Sequence, residues 1–206
     1  MSSYSNSAYS EYAEQCLENI FNTLDKIRCG QIYILTGENG SGKSLIVKTL
    51  HHHLNNIEDE EVKVATWGMN KRAGIDPGTG IRAFTADADW TCTSENSLGM
   101  IKNILKQTNR FIVIDEPEVG MGETLQASLG NWLSKQLPEV IKQNKGVLII
   151  THSKHLVRNI NCEHVFLNMQ GKDKETWLNE IPSVIDLDEF EARNLALFNL
   201  LREHLR

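Results

Sequence analysis

Three short stretches carry residue types that could do phosphate chemistry. The first covers residues 31–44, QIYILTGENGSGKS, where an apolar run (Ile32, Tyr33, Ile34, Leu35) reaches Thr36 and breaks into Gly37-Glu38-Asn39-Gly40-Ser41-Gly42-Lys43-Ser44. This is the phosphate-loop pattern G-x-x-x-x-G-K-S/T, with a strand expected before it and a helix after it. Gly37, Gly40 and Gly42 allow a tight turn, so the loop amides, those of Glu38, Asn39 and Ser41 included, can face phosphate oxygens. The helix beginning near Gly42 would aim its positive N-terminus at the same anion. Lys43 is expected at the β- and γ-phosphates, and the Ser44 hydroxyl on Mg²⁺. The pattern therefore predicts a nucleoside triphosphate site.

The second stretch, Phe111-Ile-Val-Ile-Asp115-Glu116-Pro117-Glu118, is a hydrophobic strand that delivers adjacent carboxylates. Asp115 suits a Mg²⁺ ligand. Glu116 is then placed to orient and deprotonate the attacking water. The third, Val147-Leu-Ile-Ile-Thr-His152, ends a strand in a histidine that can donate a hydrogen bond to a γ-phosphate oxygen.

These residues must be positioned by alternating elements. Apolar positions Tyr12, Cys16, Leu17, Ile20, Phe21 and Leu24 recur at three and four, predicting an amphipathic helix over residues 9–28 after a polar, mobile tail at 1–8. Strands are expected at 31–35, 62–67, 111–114, 146–151 and 164–167, with a short one at 81–84 in an otherwise loop-rich segment. Helices are expected at 45–54, at 98–106 capped by Asn96 or Ser97, and at 123–137 stopped by Pro138. Residues 172–185 read as a hairpin or loop, and a last helix spans 186–206, capped by Asp186 or Asp188. His51, His52 and His53 point about 100° apart on a helix, which favours a polar helix end over a metal site. Continuous apolar strands alternating with helices mean a mostly parallel sheet buried on both faces, in one α/β domain over residues 1–206. Every candidate site then falls at the C-terminal end of a strand, where open α/β sheets bind ligands.

Composition narrows the class. With 206 residues, 40% apolar and 23% charged, the chain is neither disordered nor a coiled coil. No apolar run approaches the ~20 residues of a membrane span, and the N-terminal residues lack the basic and apolar regions of a signal peptide. Cys16, Cys29, Cys92 and Cys162 are widely spaced without a CxxC pair, which points to reduced thiols and a cytoplasmic protein. A net charge of −6 gives no overall basic character, so any contact with nucleic acid must rest on a local patch or a partner.

Together, GENGSGKS, IVIDEPE and LIITHS resemble the ABC-type ATPases over residues 31–153, and the DEPE-x-G form is more like the soluble SMC- and OLD-related branch than the transporter branch. The resemblance implies a P-loop NTPase fold with ATP and Mg²⁺ as ligands. Glu116, His152 and Lys43 would act in catalysis, and Val119 to Glu123 would form the D-loop. Asn96-Ser97-Leu98-Gly99-Met100 is the nearest match to the family's signature motif, so Ser97 and Gly99 would meet the phosphate of a neighbouring subunit. The Q-loop glutamine has no counterpart between Gln31 and Gln107, where Asp87 or Asp89 could substitute. A helix stands where the family has an N-terminal antiparallel sheet, so the sheet and the helical subdomain are reduced. Tyr4, Tyr9 or Tyr12 could stack on the base, with core or surface packing the favoured reading of these side chains.

The implied function is an ATP-dependent homodimer that hydrolyses ATP and drives a separate protein partner, an effector or nuclease in DNA repair or in phage or mobile-element defence. Nucleic acid would be reached through that partner, with no direct membrane insertion. The alternatives are the ATPase subunit of a membrane transporter and a switch that binds ATP without hydrolysing it.

Overall fold

The computed structural model describes residues 4–58, 60–68, 93–181, 184 and 186–204. The expected strand at 81–84 and Asp87 and Asp89 lie outside the described residues. The strands are β1 (Ile32–Thr36), β2 (Val64–Trp67), β3 (Phe111–Asp115), β4 (Gly146–Ile150) and β5 (Val165–Asn168). They form one parallel sheet in the order β2-β3-β4-β1-β5. The helices are α1 (Tyr4–Leu24), α2 (Lys43–Ile57), α3 (Thr93–Leu105), α4 (Glu123–Gln143), α5 (Lys154–Arg158), α6 (Lys174–Asn179) and α7 (Leu187–His204).

The apolar strands are buried on both faces, and their two-residue period sorts the core into two halves. Tyr33, Leu35, Val113, Leu148 and Ile150 face Ile20 and Leu24 of α1 and Ile46, Leu50 and Leu54 of α2. Ile34, Ile112, Ile114, Val147 and Ile149 face the opposite layer, where Ile101 of α3, Leu129, Leu133 and Leu137 of α4 and Leu156 of α5 pack. Each such fully buried side chain contributes roughly 1.5–3 kcal/mol. A smaller cluster joins α7 to α1 through Leu197, Ala13 and Cys16.

Several boundaries differ from the sequence expectation. Residues 4–8 of the expected tail belong to α1. Helix α4 runs through Pro138 to Gln143. An interior proline costs about 3 kcal/mol, but Pro138 faces solvent while Leu133 and Leu137 anchor one side and Ile141 packs on the same core beyond it. The segment 172–185, expected as a hairpin or loop, contains α6 instead. Asp173 caps that helix by accepting the Thr176 N–H at 2.9 Å, and Trp177 and Leu178 seal it to the core. At α7, Asp186 is the cap, its Oδ1 accepting the N–H groups of Asp188 and Glu189.

The order of the strands positions the chemistry. Strands β3, β4 and β1 are parallel neighbours, so the acidic turn, the histidine and the phosphate loop emerge at one edge of the sheet. With ~4.8 Å between strands, β1 and β3 stand about 10 Å apart with the β4 terminus between them.

Candidate nucleotide site

The phosphate loop is built by backbone geometry. Gly40 (φ +77°) and Gly42 (φ +93°) occupy the left-handed region that favours glycine. Gly42 also caps α2, and having no side chain it offers the first-turn amides of that helix only its own carbonyl, which accepts the Leu45 N–H at 2.9 Å. Ser41 is 3% exposed and its Oγ has no hydrogen-bond partner among the described residues, an orphaned donor inside the loop.

Lys43 is buried and folds back over the loop, donating to the Gly37 carbonyl at 3.0 Å and the Glu38 carbonyl at 2.7 Å. Burial pulls its ammonium down to about 8 despite the opposing charges of Glu116 and Asp115. Across the cleft, burial lifts Asp115 to about 6, with Glu116 adding repulsion and Lys43 opposing. Lys43 is the cation that opposes this rise at Asp115, and a phosphate-bound divalent cation would relieve the repulsion. Ser44 and Asp115 both line this cleft of about 290 Å³ and suit Mg²⁺.

Glu116 adopts φ +50°, a strained conformation for a non-glycine residue that costs on the order of 1–3 kcal/mol. Its N–H donates to the Ile150 carbonyl at 2.8 Å, which ties the end of β3 to that of β4. Its Oε1 lies 3.3 Å from Nε2 of His152. Burial, then Lys43, holds His152 below the usual imidazole value, so the ring is neutral near pH 7. The pair borders the same cleft as Lys43, suited to holding a water against a terminal phosphate.

Glu118, quoted in the sequence pattern but given no role there, is structurally central. It is 7% exposed, and its Oε1 accepts the His152 backbone N–H at 2.8 Å. Burial pushes its carboxyl above the usual range. A second tie runs alongside: Ser153 Oγ donates to Gln126 Oε1 at 2.6 Å, and Gln126 Nε2 donates to the Met121 carbonyl at 2.7 Å. The acidic turn, the start of α4 and the histidine segment therefore form one hydrogen-bonded unit. The only sequence signal for Glu118 was a carboxylate two residues past Glu116.

Ser97 does not sit at a helix start. Helix α3 begins at Thr93, which puts Ser97 in its second turn at 1% exposure, turned inward with Ile101. Propensity misled here because Asn96 and Ser97 are good caps in isolation, while burial of the inward face decided the helix register. Gly99 is exposed, and a methyl group there would meet none of the described residues within 4 Å. Of the candidate stacking tyrosines, Tyr9 lines a separate groove between α1 and α7, and Tyr12 packs against Arg193 at 5.1 Å. The side chain of Tyr4 lies outside the described residues. Helix α7 enters the site unforeseen: Asn194, Leu197 and Phe198 line the cleft with the phosphate loop.

Among the described residues no helix is long and apolar enough to cross a membrane. No curated protein matches this chain. RIF2 of Saccharomyces cerevisiae is a similar solved structure, at a TM-score of 0.38 and 11% identity over 98% of this chain and 80% of that one. PCH-2 of C. elegans is another, at a TM-score of 0.36 and 18% identity over 82% of this chain and 43% of that one. The family described as ABC transporter matches residues 22–196, a span that holds the phosphate loop, the acidic turn and His152. With those three groups gathered at one edge of a parallel sheet, this chain belongs to the ABC transporter family of nucleotide-binding ATPases.

Proposed function

We propose that the protein hydrolyses ATP and acts as an ATP-dependent homodimeric motor for a separate protein partner. It would be a minimal, single-domain member of the soluble SMC- and OLD-like branch. The observation that carries hydrolysis is the Glu116–His152 pair at 3.3 Å, bordering the same cleft as Lys43. Glu116 accepts a proton from the attacking water, neutral His152 donates to the γ-phosphate, and Lys43 leaves the loop carbonyls for the β/γ-phosphates. Ser44 and Asp115 would hold Mg²⁺, whose charge offsets that of the phosphates; the remaining ligands come from phosphate and water. The amides of Gly37, Glu38, Asn39, Gly40, Ser41 and Gly42 form the cradle.

The dimer rests on family likeness, with the second copy meeting the phosphates through α3. On that helix Gly99 is exposed and Ser97 is inward, so Ser97 can serve only if α3 shifts on closure. The partner, an effector or nuclease in DNA repair or in phage or mobile-element defence, rests on the same likeness, as do nucleic-acid contact through that partner and a cytoplasmic location. The inward Ser97 favours one second reading, an ATP-dependent binding switch with little turnover.

Phosphate release and light scattering with Mg-ATP test these readings on wild type and Glu116→Gln. Wild type is expected to release phosphate. The variant should lose about 10²–10⁴-fold of that rate, keep ATP and double in mass. Equal rates in both proteins would remove Glu116 as the base. A variant that binds ATP yet stays monomeric would end the dimer reading, and wild type that binds without turnover would establish the switch.

A further inference from the structure

The phosphate cradle accounts for only one end of a nucleotide. Its cleft continues to α7, whose wall is fixed in orientation. Leu197 is 6% exposed and clamped to Ala13 and Cys16 of α1, which turns its neighbour Phe198 out of that interface. Phe198 is 61% exposed and lines the cleft, an aromatic face left open beside the phosphate loop. Asn194, four residues earlier, shares that helix face. It packs so closely on the loop that a methyl group at Gly40 would lie 2.1 Å from its Oδ1. Leu45, in the first turn of α2, adds a second apolar surface to the same cleft.

We propose that α7 supplies the base subsite: the nucleobase of a nucleoside triphosphate stacks on Phe198, opposite Leu45, while its phosphates occupy the loop. Burying one aromatic face against a base removes apolar surface from water and adds stacking, together about 1–3 kcal/mol per base, which is 5- to 150-fold in affinity. At about 290 Å³ the cleft is at the small end for a ligand site, which suits a base stacked on one open-sided wall rather than enclosed. Asn194 holds α7 against Gly40 and so sets the distance between the stacking face and the cradle.

This subsite rests on the nucleotide reading of the phosphate loop, and the test separates the two. Calorimetry with Mg-ATP and with Mg-tripolyphosphate is applied to wild type, Phe198→Ala and Phe198→Trp. The exposure of Phe198 lets both variants fold, which melting curves check. The alanine variant is expected to bind ATP 5- to 150-fold more weakly and tripolyphosphate as wild type does, and tryptophan is expected to restore ATP affinity. Unchanged ATP affinity in the alanine variant overturns the subsite alone, as does an equal loss for both ligands. Tighter ATP binding overturns it too, and shows that Phe198 shields the loop. Wild type binding neither ligand removes the phosphate-loop reading and the subsite with it.

Discussion

At the scale of the residue, the site depends on how few charges compensate one another. Asp115 is held up near 6 chiefly by burial, so in the folded protein it keeps its proton at pH values where the unfolded chain has lost it. Stability from the protonated form is present at low pH and is lost as pH rises through about 6. Mg²⁺ coordination needs the ionised form. The Mg²⁺-dependent gain in ATP affinity should therefore fall as pH drops through about 6, rather than near the ordinary carboxylate value, and should be absent in Asp115→Asn; titration calorimetry across that range reads it. Glu118 acts on His152 through the backbone. Its removal should slow phosphate release by roughly 10- to 100-fold through misplacement of the ring, with ATP affinity unchanged. Glu118→Gln keeps the acceptor and should recover most of the rate, whereas a purely structural role would lower stability and rate together in both variants.

At the scale of the element, glycines mark where two elements touch. Gly146 opens β4 directly opposite Phe111 of β3, and a methyl group there would meet the Phe111 ring at 2.3 Å. Gly130 of α4 would meet the Leu156 carbonyl of α5 at 2.3 Å, a backbone atom that cannot swing aside. Gly146→Ala and Gly130→Ala should each destabilise the fold by about 1–3 kcal/mol in urea unfolding, with Gly130→Ala also displacing α5 and the His152 segment before it. Wild-type stability in either variant would mean that those contacts are looser than the structure shows. Elements built on continuous apolar strands were readable in the chain, because a parallel sheet needs both strand faces apolar. Helices α5 and α6 were not, since five or six residues give too little periodicity. Their caps, Ser153 accepting from Leu156 and Asp173 from Thr176, are local signals that a closer reading of capping chemistry could have found.

At the scale of the whole molecule, the fold is a five-stranded parallel sheet in which three strands bring one chemical group each to a common edge, with the α1–α7 pair beside it. That pairing gives the phosphate loop a helical wall. Residues 31–44, the acidic turn and LIITH predicted the loop, the carboxylates and the histidine, because strand, turn and helix-start chemistry are written within a few neighbouring residues. The sequence by itself therefore determined that the glycine-rich loop, the carboxylates and the histidine lie at strand ends of a parallel sheet. Only the tertiary structure decided that β4 stands between β1 and β3, so that His152 reaches Glu116. It likewise decided that Glu118 holds the His152 backbone, that Ser97 turns inward, that α4 runs through Pro138, and that Phe198 of α7 borders the nucleotide cleft. Each of these depends on burial or on contacts between residues far apart in the chain, and local propensity carries no information about either.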